Sequence, residues 1–156
     1  MKKNQIVFSF FVAMTLAIFP QTVKANPLSA TVESIVDGDT IVLNQGDTSR
    51  PAQLACIDTP DWINGQPQPY AQNSKDRLTA LIPIGSSIQY YDVGRLPSGE
   101  TLVVIFNQNR NINLQMVTEG QAQLHPRYRQ TCTSSANALA AAQNSAQSQR
   151  LGIWNR

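Results

Sequence analysis

Apolar and polar residues alternate along five short stretches of the chain. Ala30–Val36, Thr40–Asn44, Ala52–Ile57, Ser87–Val93 and Thr101–Phe106 carry β-branched or aromatic residues at two-residue spacing or in brief apolar runs, which predicts strands. Asp37-Gly38-Asp39 and Gln45-Gly46-Asp47 read as the turns joining the first three. Pro60 to Pro69 is rich in Pro, Gly and Gln and predicts a long surface loop. Beyond Pro69 the spacing becomes helical. Tyr70, Ser74, Arg77, Leu78 and Leu81 fall on one face, and Pro83 stops the run. A second, short helix fits Leu114–Glu119, with Asn113 as N-cap and Gly120 as terminator. A third fits Ser135–Arg150, with Ala138, Leu139, Ala142 and Ala146 on one stripe. Gly152 ends it, and Ile153 and Trp154 supply a bulky apolar plug. The order is three strands, a helix, two strands and two helices. It predicts a mainly β, α+β domain: a five-stranded barrel of OB type with about three helices packed on it, rather than a sandwich.

The first residues follow a different logic. Met1-Lys2-Lys3, a mostly apolar run from Ile6 to Phe19, and Val23-Lys24-Ala25 have the layout of a secretory signal peptide over residues 1–25. The alternative is an uncleaved N-terminal anchor, although the run is short and Ser/Thr-interrupted for a membrane span. No second apolar stretch of spanning length follows. Residues 26–156 then form one domain, expected to be exported and either periplasmic or secreted.

This division changes the meaning of the charge. The full chain has 12 basic and 10 acidic residues, a formal +2 with pI near 8.7. Removing Lys2, Lys3 and Lys24 leaves nine basic residues against the same ten acidic ones, a net −1. The basic excess belongs to the targeting segment and is no argument for nucleic-acid binding. An apolar content of 42% supports a real core and excludes a wholly disordered chain.

Cys56 and Cys132, 76 positions apart, predict one disulfide in an exported protein, against the alternative of two buried free thiols. Neither lies in a Cys-x-x-Cys or metal-ligand spacing.

The richest chemistry lies in two acidic segments, Asp37-Gly38-Asp39-Thr40 and Cys56-Ile57-Asp58-Thr59-Pro60-Asp61. If the first three strands form a meander, the first turn and the end of strand three can share a rim, and Asp39 and Asp58 can converge. Hard oxygen donors of this kind suit Ca²⁺. An isolated Asp-Gly-Asp favours a tight turn, and the functional reading gains from its pairing with the second acidic segment.

These motifs resemble the staphylococcal-nuclease-like (thermonuclease) family. The resemblance covers residues 30–154. It rests on Asp37-Gly38-Asp39-Thr40, Leu54-Ala55-Cys56-Ile57-Asp58-Thr59-Pro60, Asn111-Ile112-Asn113-Leu114 with Val117 and Glu119-Gly120, and Gln149-Arg150-Leu151-Gly152-Ile153-Trp154, in that order. It implies an OB-type barrel and hydrolysis of DNA or RNA phosphodiester bonds. It also implies one Ca²⁺ held by Asp39, Asp58 and the Thr59 carbonyl, with Asp37 and Thr40 supporting. The placement of the two cysteines is similar to that of a disulfide-bridged bacterial branch.

The same resemblance exposes departures. The family's water-orienting Glu corresponds to Asp61, one methylene shorter. Its two phosphate-binding arginines correspond to Gln53 and Glu100. Loss of one such arginine costs on the order of 10³–10⁵ in rate, by analogy with arginine fingers. Arg50 and Arg95 are the possible substitutes. Arg50, three residues before Gln53, is expected on the opposite strand face, and Arg95 in the loop before the fifth strand. His125 has no catalytic partner, and Arg127-Tyr128-Arg129 reads as ordinary surface or as a phosphate or base contact. The expectation is an exported, monomeric Ca²⁺-dependent nuclease of reduced or altered activity on single-stranded DNA or RNA. The alternatives are a catalytically silent OB module for an oligonucleotide, another anion or a protein, and an exported stability domain whose Asp37 and Asp39 only form a turn.

Overall fold

The computed structural model describes residues 26–155. The signal-peptide reading falls on residues 1–25 and lies outside them. Three strands come first: β1 (Leu28–Ile35), β2 (Thr40–Gln45) and β3 (Thr48–Leu54). Three two-residue strands follow, β4 (Ile57–Asp58), β5 (Trp62–Ile63) and β6 (Gln66–Pro67), and then helix α1 (Ala71–Leu81). Next come β7 (Ser87–Arg95), β8 (Thr101–Asn107), β9 (Arg110–Asn111), α2 (Ile112–Thr118) and β10 (Gln123–Leu124). The chain closes with α3 (Tyr128–Thr131), α4 (Ala136–Ser148) and a 3₁₀ turn, Gly152–Trp154.

The barrel is β3-β2-β1-β7-β8, closed by parallel pairing of β3 with β8 at Ala52–Thr101 and Leu54–Val103. Alternation explains its core. Val32, Ile41, Leu43, Ala52, Leu54, Ile88, Tyr90, Val103 and Ile105 all point inward and are almost fully buried. Burying each large side chain contributes about 1.5–3 kcal/mol. Closure leaves the main barrel strands without a free edge between β3 and β8.

The expected third strand, Ala52–Ile57, is shifted. β3 starts at Thr48, four residues earlier, and stops at Leu54. Cys56 has φ 71°, a left-handed conformation that turns the chain out of the barrel. Ile57–Asp58 then pairs with Gln123–Leu124 instead. The run from Leu54 to Ile57 is buried throughout, so its apolarity continues past the point where the strand ends.

The helices carry further corrections. Asn113 is not the N-cap of α2; Asn111 is, its side chain accepting from the Leu114 N–H at 3.0 Å. Asn113 is 2% exposed. It accepts from Ile105 N–H at 3.0 Å and donates to the Ala55 and Val103 carbonyls at 2.9 and 3.0 Å. It therefore satisfies backbone groups where β3 leaves β8. Tyr70 precedes α1 in a left-handed conformation, and its hydroxyl donates to the Asn155 carbonyl at 2.9 Å. Arg77 is half-buried and pairs with Glu119 rather than lying in the core. On α4, Leu139 and Ala146 are buried but Ala138 faces solvent. The described residues hold four α-helices instead of three, because α3 forms a single turn ahead of Cys132. The long loop from Pro60 to Pro69 contains the β5–β6 hairpin.

Cys56 and Cys132 form the expected disulfide, with Cα atoms 6.2 Å apart. Among the described residues no helix is long and apolar enough to cross a membrane.

Candidate active site

The turn between β1 and β2 builds one side of the site. The Asp37 Oδ1 accepts from the Asp39 N–H at 2.9 Å and the Thr40 N–H at 2.7 Å. Asp37 is thus the turn former, the local role that its residue type favours. Gly38 lets this turn lie against the next segment. A Cβ on it would sit 2.7 Å from Thr59 Oγ1 and 2.7 Å from Ser74 Cβ.

Asp39 is 5% exposed. Its Oδ2 accepts from the Thr59 N–H at 3.1 Å, and its Oδ1 from Thr40 Oγ1 at 3.2 Å and Gln53 Nε2 at 3.3 Å. Burial, reinforced by the Asp37 charge, pushes the Asp39 carboxyl up to about 7, against the three hydrogen bonds that lower it. Through Thr59, Asp39 is bonded to the backbone next to Asp58. The Asp58 Oδ2 accepts from Gln123 Nε2 at 2.9 Å across the β4–β10 pair.

Two clefts flank this ridge. One of about 610 Å³ is lined by Asp58, Thr59, Pro60, Gln68, Pro69, Tyr70, Gln123 and Ile153. The other, of about 400 Å³, has Gln53, Arg95, His125 and Arg127 around an apolar floor that includes Leu54, Ile57 and Leu102. Arg95 reaches it from a strand, not the expected loop. β7 continues to Arg95 through a register shift between Asp92 and Gly94, which sets Arg95 opposite Thr101. The Arg95 Nη1 donates to Thr101 Oγ1 at 2.8 Å and its Nη2 lies 3.5 Å from Asp92 Oδ2.

The remaining candidates go elsewhere. Arg50 shares the inward face with Ala52 and Leu54, opposite Gln53, and donates to the Tyr90 hydroxyl at 3.2 Å. It lines neither cleft. The Glu100 carboxylate accepts from Ser98 Oγ at 2.7 Å and also lies outside both. Asp61 is exposed, and its carboxylate accepts the Trp62 N–H at 2.6 Å.

Sequence reasoning missed Gln123, Ser74 and the cleft positions of His125 and Arg127. Nothing in composition separates Gln123 from the chain's other glutamines. His125 is held by its backbone N–H on the Cys56 carbonyl at 3.0 Å, a contact that only the folded barrel creates.

Among the described residues no three His, Cys, Asp or Glu side chains gather into a metal-holding group. Asp39 and Asp58 do offer hard carboxylate oxygens, the donor type that a hard cation takes together with backbone and water. Two carboxylates, Asp39 and Asp58, flank Thr59, and the missing side chain at Gly38 leaves the acidic turn in contact with it.

Residues 51–156 match the family model described as staphylococcal nuclease homologue, and the chain belongs to that family. Over 124 residues it is also 33% identical to a Haemophilus influenzae protein named "Uncharacterized endonuclease". The aligned part is 79% of this chain and 64% of the relative, so the chain spans just under two thirds of that protein's length.

Proposed function

We propose that the chain is an exported, monomeric, Ca²⁺-dependent nuclease that hydrolyses single-stranded DNA or RNA at a reduced rate. Asp39, Asp58 and the Thr59 carbonyl would hold the ion, with Asp37 and Thr40 positioning Asp39. A bound Ca²⁺ would offset charge on the scissile phosphate and polarise it. Asp61 orients the attacking water and takes its proton. The new P–O bond forms as the bond to the leaving sugar oxygen breaks, and that oxygen takes a proton from solvent. Arg95 supplies the cation that Gln53 and Glu100 do not.

The observation that carries this reading is that Arg95 shares a cleft with Gln53, whose amide is bonded to Asp39. The name of the H. influenzae relative, an endonuclease, supports the same reaction class, and the disulfide supports an oxidising compartment, periplasmic or extracellular. The test is cleavage of single-stranded DNA and RNA by the purified protein with Ca²⁺ and with EDTA. No Ca²⁺-dependent cleavage at high protein concentration and long times would overturn it.

A second reading has its own support. Gln53 is engaged by Asp39, Glu100 places an anion at a cationic position of the family, and Asp61 is turned onto Trp62. These favour a silent binding module. Activity that emerges only in the triple variant Gln53→Arg, Asp61→Glu, Glu100→Arg would support it. The third reading, a stability domain, keeps Asp37 as a turn former and predicts no Ca²⁺ binding by calorimetry.

A further inference from the structure

The chain leaves one wall of the larger cleft at Pro60, runs out through the β5–β6 hairpin, and returns to that cleft at Gln68. The hairpin's base is fastened. The Asp61 N–H donates to Gln68 Oε1 at 2.7 Å and the Gln68 N–H to the Asp61 carbonyl at 2.9 Å. Its tip is Asn64-Gly65, with φ 52° and 77°, the residue pair that a two-residue hairpin turn requires. The hairpin is therefore built, yet it covers no core. Ile63 is 57% exposed and Trp62 is only half-buried. The Lys75 ammonium, on α1, lies over the Trp62 ring, 5.6 Å from its centroid. Lys75 is the only lysine among the described residues. A half-exposed ring with an adjacent cation matches a nucleobase and its phosphate.

We propose that Trp62 and Lys75 form a stacking platform for an unpaired nucleic-acid strand, on and beside the hairpin that springs from the wall of the larger cleft. A base stacks on Trp62, and Lys75 contacts the adjoining phosphate. The proposal rests on the nuclease reading for the strand's destination and adds the site that selects single strands. A base inside a duplex has both faces covered by its neighbours and must unstack to engage Trp62. Asp61 and Asp76 adjoin Trp62 and Lys75 in the chain, so local charge attracts phosphate weakly and stacking carries the affinity. The salt dependence is then shallow, with a slope of about −0.7 for one phosphate contact on a single strand.

The test uses the full chain in EDTA, where binding is measured without cleavage. The probes are a dodecathymidylate and a blunt duplex of the same length. Trp154→Phe leaves Trp62 as the sole tryptophan emitter. The single strand is expected to quench that emission and the duplex to leave it unchanged. Trp62→Ala should weaken single-strand binding by about tenfold, in the range of one lost stacking contact, while Trp62→Phe retains most of it. Lys75→Met should flatten the salt slope by about 0.7. Absence of quenching, or equal quenching by the duplex, overturns the platform. So does an equal loss of binding in Trp62→Phe and Trp62→Ala together with a lowered melting temperature, the mark of a packing role. Quenching without Ca²⁺-dependent cleavage in the parallel assay keeps the platform and removes the nuclease reading, and cleavage without quenching does the reverse.

Discussion

The Gln53 side-chain amide donates to Asp39 Oδ1 across 3.3 Å, joining the end of β3 to the turn before β2. Gln53, which the sequence resemblance sets at a phosphate-binding arginine position, here satisfies a buried carboxylate. A cation there would compensate Asp39 directly, so Gln53→Arg alone should pair with Asp39 and weaken Ca²⁺ binding by calorimetry. Rate recovery would need Glu100→Arg as well.

The Asp39 carboxyl, raised to about 7, makes stability depend on pH. A raised folded-state value means that the folded protein holds the proton more tightly than the unfolded chain. The resulting stabilisation is complete below the ordinary carboxylate value of 3.8 and is lost as pH rises through about 7. In EDTA the melting temperature should fall between these values, and Ca²⁺ should restore it at the alkaline end. Asp37→Asn keeps the turn's acceptor oxygen and removes the neighbouring charge. It should shift the decline to lower pH and raise the melting temperature at neutral pH.

Arg95 and Arg50 separate activity from stability. Arg95→Met should lower the cleavage rate on the order of 10³-fold or more, by analogy with arginine fingers, while leaving the melting temperature nearly unchanged. Arg50→Met should do the opposite, because it removes the Tyr90 contact inside the barrel and touches neither cleft. Initial-rate assays and thermal melts on both variants decide it.

Gly38→Ala forces a methyl group into Thr59 and Ser74. Overpacking of this kind costs about 1–3 kcal/mol. The same displacement separates Asp39 from the Thr59 N–H. Urea denaturation should show lost stability, and calorimetry should show weakened Ca²⁺ binding in the same variant.

Cys56→Ser with Cys132→Ser should cost about 4 kcal/mol by the chain-entropy model for a loop of this length. Denaturant midpoints with and without reductant provide the check, and the double variant should be insensitive to reductant.

The four long strands with one buried and one exposed face were legible because alternation reports burial directly. β3 was harder: its end is set by the left-handed Cys56, and the apolar run continues through that turn. Asn113 illustrates a different limit. Asparagine at the start of a helix has the same sequence signature whether it caps that helix or, as Asn113 does, lies in its first turn and reaches across to Ala55 and β8. The acidic segments came together because the first forms the turn before β2 and the second begins in β4, and the Thr59 N–H joins them at Asp39. Which cation enters the cleft depended on the register shift that extends β7 to Arg95, a property of strand pairing with β8 that local composition does not encode.

The disulfide has a consequence for how the protein meets proteases. The exposed Asn64-Gly65 tip lies between Cys56 and Cys132 in the chain. A single nick there opens the backbone but releases no fragment, since both new ends remain within one covalently connected molecule. In an oxidising medium, damage at this tip would therefore leave a two-chain protein heavier by one water, whose pieces separate only after reduction.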